Sequence, residues 1–270
     1  MSGATYTHGH HDSVVSQHAR RTAEECAAFL LPHLRPGMRL LDCGCGPGSI
    51  TLGLARAVAP GEVVAIDVVD DVLERARDLA RESGVQNVTF QAASIYEPPF
   101  AEATFDAVYA HQVLQHLDDP VRALRQARRL LRLGGVVGVR DSDYGAMVFT
   151  PTDARLDRFL AVYREVARRN GGEPDAGRFV KAWLLEAGFE DLEITTWTWT
   201  YADAVGARDW GDSWARRVTE STLAERALHY GIATRAELED IAAAWREWAR
   251  SPHAFGVVPH TSGVGRKPGP

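Results

Sequence analysis

Between residues 36 and 145, short apolar runs alternate with segments whose apolar positions recur every three or four residues. The runs fall at 40–41, 62–67, 88–91, 104–110 and 136–140, and their length and flanks predict buried strands. Helical spacing follows at 50–58, after Asp70-Asp71, and over 121–133, with Pro60-Gly61, Gly84 and Gly134-Gly135 as punctuation. Ahead of the first strand, Thr22-x-x-Glu25 reads as a capping box for a helix reaching Leu34. Strands alternating with helices on this scale predict a doubly wound, mostly parallel α/β sheet. Beyond residue 145 the texture changes. Helices are predicted over 152–169, 177–187 and 203–230, with another capped by Thr234-x-x-Glu237. Alternation over 191–201, with Trp197, Trp199 and Tyr201 on one face, predicts a strand, 255–258 a last short one, and the Gly/Pro-rich tail beyond it a frayed end.

The first strand runs into Asp42-Cys-Gly-Cys-Gly-Pro-Gly48, and a helix follows at once. Strand, glycine loop and helix together form a ligand cradle, because backbone can approach a ligand closely at a helix N-terminus. A dinucleotide fingerprint would need its third glycine at position 49, where Ser49 stands. At these residues the chain resembles the class I S-adenosylmethionine (SAM)-dependent methyltransferases. The second strand ends in Asp67, about 20 residues past the loop, where nucleoside-binding folds place the acid that takes the ribose hydroxyls. After the third strand comes Ala93-Ser94-Ile95-Tyr96-Glu97-Pro98-Pro99-Phe100. The family's pattern there carries an acid where Ser94 stands and a leucine where Pro98 stands. The resemblance is tightest at His111-Gln-Val-Leu-Gln-His116, toward quinone-ring C-methyltransferases and natural-product methyltransferases.

The resemblance implies a seven-stranded Rossmann-like sheet in the order 3-2-1-4-5-7-6, its seventh strand antiparallel. It divides the chain into an N-terminal lid and helix (1–35), a SAM-binding core (36–145), and a C-terminal part (146–270) completing the sheet with a Trp-rich helical cap. The implied cofactor contacts are Asp42, Gly44, Cys45, Gly46 and Gly48 of the loop, Asp67 and Val68, Ser94 and Ile95, and His111. His111 reads equally as a cofactor contact and as a base for the acceptor's proton. Tyr6 and His10 could reach the site on a lid, and Asp141, Asp143 and Tyr144 follow the fifth strand. The segment around His8, His10 and His11 could also be a polar tail or bind a metal, but no partner ligands recur at spacing, so no metal is expected.

Composition narrows the function. A 45% hydrophobic and 24% charged chain with net charge −6 offers no footprint for nucleic acid or an anionic membrane. Cys26, Cys43 and Cys45 make a poor disulfide set, and Cys43 and Cys45 read as small filler beside the loop, so a reducing cytoplasm is expected. The N-terminus lacks a signal-peptide pattern and no run is long enough to span a membrane. All seven tryptophans lie from Trp183 onward, as packing for a cap and as walls for an aromatic substrate pocket. The expected function is SAM-dependent C-, O- or N-methylation of a small, hydrophobic or aromatic metabolite in natural-product biosynthesis, with the oligomeric state open and a homodimer one option. The competing readings are an NAD-dependent oxidoreductase, disfavoured by Ser49, a methyltransferase of nucleic acid or protein, and a non-catalytic SAM-binding scaffold.

Overall fold

The computed structural model describes residues 21–269. Among these, eight strands form one sheet: β1 (Leu40–Cys43), β2 (Val63–Asp67), β3 (Val88–Ala92), β4 (Phe105–His111), β5 (Leu131–Ser142), β6 (Val148–Thr150), β7 (Glu190–Tyr201) and β8 (Phe255–Arg266). β1 to β5 are parallel in the order β3-β2-β1-β4-β5, and β8 runs antiparallel beside β5. β7 pairs with the other edge of β8, while the short β6 continues the β5 edge. Leaving β6 aside, this is the expected order 3-2-1-4-5-7-6. β6 is an eighth strand that the sequence pattern does not announce.

Helices cover both faces. α1 (Ala23–Cys26) and α2 (Ser49–Val58) pack with Leu40, Val63, Ala107 and Tyr109 on one side. α3 (Asp70–Glu82) extends that layer over β2 and β3 through Leu73, Ala76 and Phe90. On the other side, α4 (Pro120–Leu130) and α6 (Val180–Glu186) bury Leu124, Val180 and Leu184 against Leu41, Val108 and Val139. α5 (Ala154–Arg169), α7 (Ala204–Glu220), α8 (Thr222–His229) and α9 (Arg235–Arg250) form a cap with its own core, centred on Phe159, Trp214 and Trp245.

Four expectations need correction. The tail is not frayed: β8 runs to Arg266 through the interior of the sheet. A Cβ at Gly263 would lie 2.6 Å from Leu184 Cδ1, and one at Gly265 would lie 2.9 Å from Phe189 Cβ. Neighbours thus supply the apolar surface that the strand lacks, which is why its hydrophobic pattern is blank. Pro259 sits between the stretches paired with β5 and β6, where its carbonyl accepts the Asp143 N–H at 2.9 Å. The segment 203–230 is two helices, because the Ser221 hydroxyl donates to the Arg217 carbonyl and accepts the Leu223 N–H, recapping the chain. α4 stops at Leu130 rather than Leu133, since Gly134 takes φ +75° and pairs back to Lys267. The first helix is only Ala23–Cys26, followed by turns and a 3₁₀ turn at Leu31–His33.

Candidate active site

The C-terminal ends of the parallel strands open onto a cavity of about 470 Å³. Its floor is the glycine loop. A Cβ at Gly44 (φ +71°) would fall 2.5 Å from Val113 Cγ2, so only glycine fits there. Gly46 (φ +53°) lines the cavity, and a Cβ on it would meet nothing within 4 Å. Beneath the loop, buried Asp42 accepts the Thr51 hydroxyl at 2.6 Å, and burial lifts its carboxyl to about 7. Asp67 at the end of β2 accepts the Gly46 N–H at 3.0 Å and the Val69 N–H at 3.2 Å. These bonds orient the carboxylate and leave it acceptor capacity for hydroxyl donors. After β3, the Ser94 hydroxyl accepts the Tyr96 N–H at 3.2 Å, and the Tyr96 hydroxyl donates to Asp118.

Above the floor the lining becomes aromatic: Tyr144, Trp199, Trp210 and Trp214, with Met147 and Val258 between them. Arg21 and Arg217 also reach this half. His111 stands at the junction, at the end of β4, its ring stacked on Tyr109 at 6.4 Å and 8°. Both of its nitrogens are buried without a hydrogen-bond partner among the described residues. Burial, then Arg21, His260 and Arg140, hold its imidazole well below the ordinary value, so the ring is neutral at pH 7. Beside it, Gln112 takes φ +54° and places its Nε2 2.9 Å from His260 Nε2. His260 Nδ1 lies 2.9 Å from the Val258 carbonyl, which assigns the proton to Nδ1 and makes Nε2 the acceptor for Gln112.

The cavity gathers Asp42, Gly44, Cys45, Gly46, Asp67, Val68, Ser94, Ile95 and His111 on its wall. Gly48 is not on the wall: it caps α2 at φ +82°, with a Cβ there 3.0 Å from Ala76 Cβ. Tyr6 and His10 lie outside the described residues. Of the acids and phenol expected after β5, only Tyr144 faces the cavity. Asp141 is a strand residue whose Oδ1 accepts the Gln115 N–H, and Asp143 is clamped by Arg178 at 2.7 Å. The sequence pattern gives no sign of His260 or Arg217, and Gln112 stands in the block of tightest resemblance without a role assigned to it. His260 lies in the tail read as frayed, and Arg217 lies within a helical stretch whose periodicity says only which face is apolar. Among the described residues no group of three or more His, Cys, Asp or Glu could hold a metal, and no helix is long and apolar enough to cross a membrane.

A loop that admits a ligand at Gly46, an oriented acceptor at Asp67 and an aromatic chamber beyond His111 suit a nucleoside cofactor with a second molecule beside it. Comparison with known proteins agrees. Residues 34–174 match the model of a methyltransferase domain family. An uncharacterized methyltransferase of Schizosaccharomyces pombe is 31% identical over 251 residues, covering 90% of this chain and 89% of that protein. The 27-O-demethylrifamycin SV methyltransferase of Amycolatopsis mediterranei is 34% identical over 191 residues, covering 70% of this chain and 67% of that protein. Among solved structures, the Bacillus subtilis YcgJ protein shares the fold with TM-score 0.58 at 18% identity, covering 91% of this chain and 100% of that one. The chain belongs to the class I SAM-dependent methyltransferases, and SAM is its cofactor.

Proposed function

We propose that this enzyme methylates a small, largely apolar aromatic metabolite, in natural-product biosynthesis. The observation that carries this reading is the continuity of the two halves: one cavity joins the glycine loop to a chamber walled by Tyr144, Trp199, Trp210 and Trp214. The rifamycin methyltransferase among its relatives is named for a small-molecule acceptor, which supports the same class. SAM supplies a methyl group made electrophilic by its sulfonium. The chain's own residues do the positioning. Asp67 holds the ribose hydroxyls, the loop from Gly44 to Gly46 lets backbone approach, and the Ile95 N–H with the Ser94 hydroxyl meets the adenine. The aromatic walls exclude water and fix the acceptor's plane, and orientation of this kind supplies much of the rate of a displacement. His111 is neutral and turned to the junction, so its lone pair can take the proton that an acceptor hydroxyl releases.

The test is a pooled screen of aromatic metabolites with methyl-labelled SAM, followed by locating the label in the product. Label in a ring-bearing small molecule is the expected result. Label confined to protein or nucleic acid, or none in a preparation that binds adenosylhomocysteine, overturns the proposal.

A further inference from the structure

Charge is distributed unevenly along the cavity. Its two carboxylates among the described lining residues, Asp42 and Asp67, belong to the cofactor loop and the end of β2. The aromatic half carries arginines and no acid among those residues. Arg217 projects from α7 and is only 6% exposed, with its guanidinium 5.0 Å from the Trp214 ring centroid. Arg21 lies over Trp199 at 4.8 Å. Stacking on an indole favours one plane for a guanidinium, and the planar donor fork matches a carboxylate with two parallel hydrogen bonds. An acid acceptor gains both charge and geometry from cationic side chains on its chamber wall, and a neutral acceptor does not.

We propose that the acceptor is an aromatic acid, its ring among Trp199, Trp210, Trp214 and Tyr144 and its carboxylate on Arg217, with Arg21 adding positive charge at the mouth. This rests on the methyltransferase reading and narrows its substrate class. It depends on the sign and placement of the arginines and not on their lacking other contacts. The ionised acid is selected over its neutral analogues, because an amide or ester in the same pose offers no charge to the guanidinium.

The experiment titrates the full chain, loaded with adenosylhomocysteine, with hydroxybenzoic and hydroxynaphthoic acids and with their carboxamides, following tryptophan fluorescence. At least one acid should bind about tenfold or more tighter than its amide, as hydrogen bonds to charged groups allow. Arg217→Gln should reduce that preference to near unity and Arg217→Lys should retain part of it, both with unchanged affinity for adenosylhomocysteine. Equal binding of acids and amides by the unaltered protein, binding of none of the acids, or a preference that survives Arg217→Gln overturns the inference. The comparison within the unaltered protein stands even where a variant folds poorly. Methyl transfer to neutral aromatics without acid preference sinks this inference alone, while absence of transfer to any aromatic sinks the proposed function.

Discussion

Asp67 is held by the N–H groups of Gly46 and Val69 before any cofactor arrives, so its carboxylate need not be ordered on binding. Hydrogen bonds to a charged acceptor contribute about 1.5–3 kcal/mol each, and two ribose hydroxyls can engage it. Asp67→Ala should therefore weaken SAM binding by roughly 10² or more, read by calorimetry; an unchanged dissociation constant would remove Asp67 from the ribose site. His111 calls for two measurements on one variant. Its imidazole is held well below the ordinary value, so protonation, which disables a base, falls at pH well below ~6.5. An acid limb in the kcat profile should accordingly lie below that value, with a flat region through neutral pH. A general base contributes ~10²–10⁴ in rate, so His111→Ala should lower kcat by that much, remove the limb and spare SAM affinity. Loss confined to cofactor affinity would make His111 a cofactor contact only.

At the scale of elements, legibility in the sequence tracks where apolar surface is carried. β1, β2, β4 and the second half of β5 bury their own side chains, and their apolar runs are plain in the sequence. Capping made α9 equally plain: the Thr234–Glu237 box is present in both directions. In the sequence β8 shows only four apolar-run residues, because Gly263 and Gly265 are small for the sake of Leu184, Val180 and Phe189. In β7 the apolar face changes sides midway: Leu192 and Ile194 pack with the α6 layer, whereas Trp199 and Tyr201 pack with the cap. Only the second half showed as a tryptophan stripe. The glycine loop and Asp67 were legible because backbone approach and ribose binding tie residue type to spacing. The acceptor wall was not, because α7 and β8 reach it through tertiary packing that local spacing does not encode. The close approach at Gly263 can be tested directly. Gly263→Val places branched carbon against Leu184 and Val180, and overpacking of this kind costs about 1–3 kcal/mol. Denaturant unfolding should show that loss, and stability equal to the parent would mean that α6 yields.

The whole molecule joins a cofactor floor on the sheet to a cap with a separate core, and the chain enters this joint from its N-terminal end. Arg21, the first described residue, lines the main cavity and also a neighbouring one of about 370 Å³ bounded by Trp197, Trp199 and Tyr201. Residues 1–20, which carry the expected Tyr6 and His10, lie outside the described residues and directly precede Arg21 in the sequence. Among the described residues, the packed clusters of both halves run from Ala23 onward. Removing 1–20 should leave one cooperative melting transition close to that of the full chain. Turnover should fall by orders of magnitude if the segment closes the chamber, since exclusion of water and orientation of the acceptor both depend on closure. Adenosylhomocysteine binding separates that outcome from damage to the floor, because Asp67 and the glycine loop lie outside the deletion. Full activity in the shortened protein would return the segment to a dispensable tail, with Tyr144 and His111 left to act on the acceptor without it.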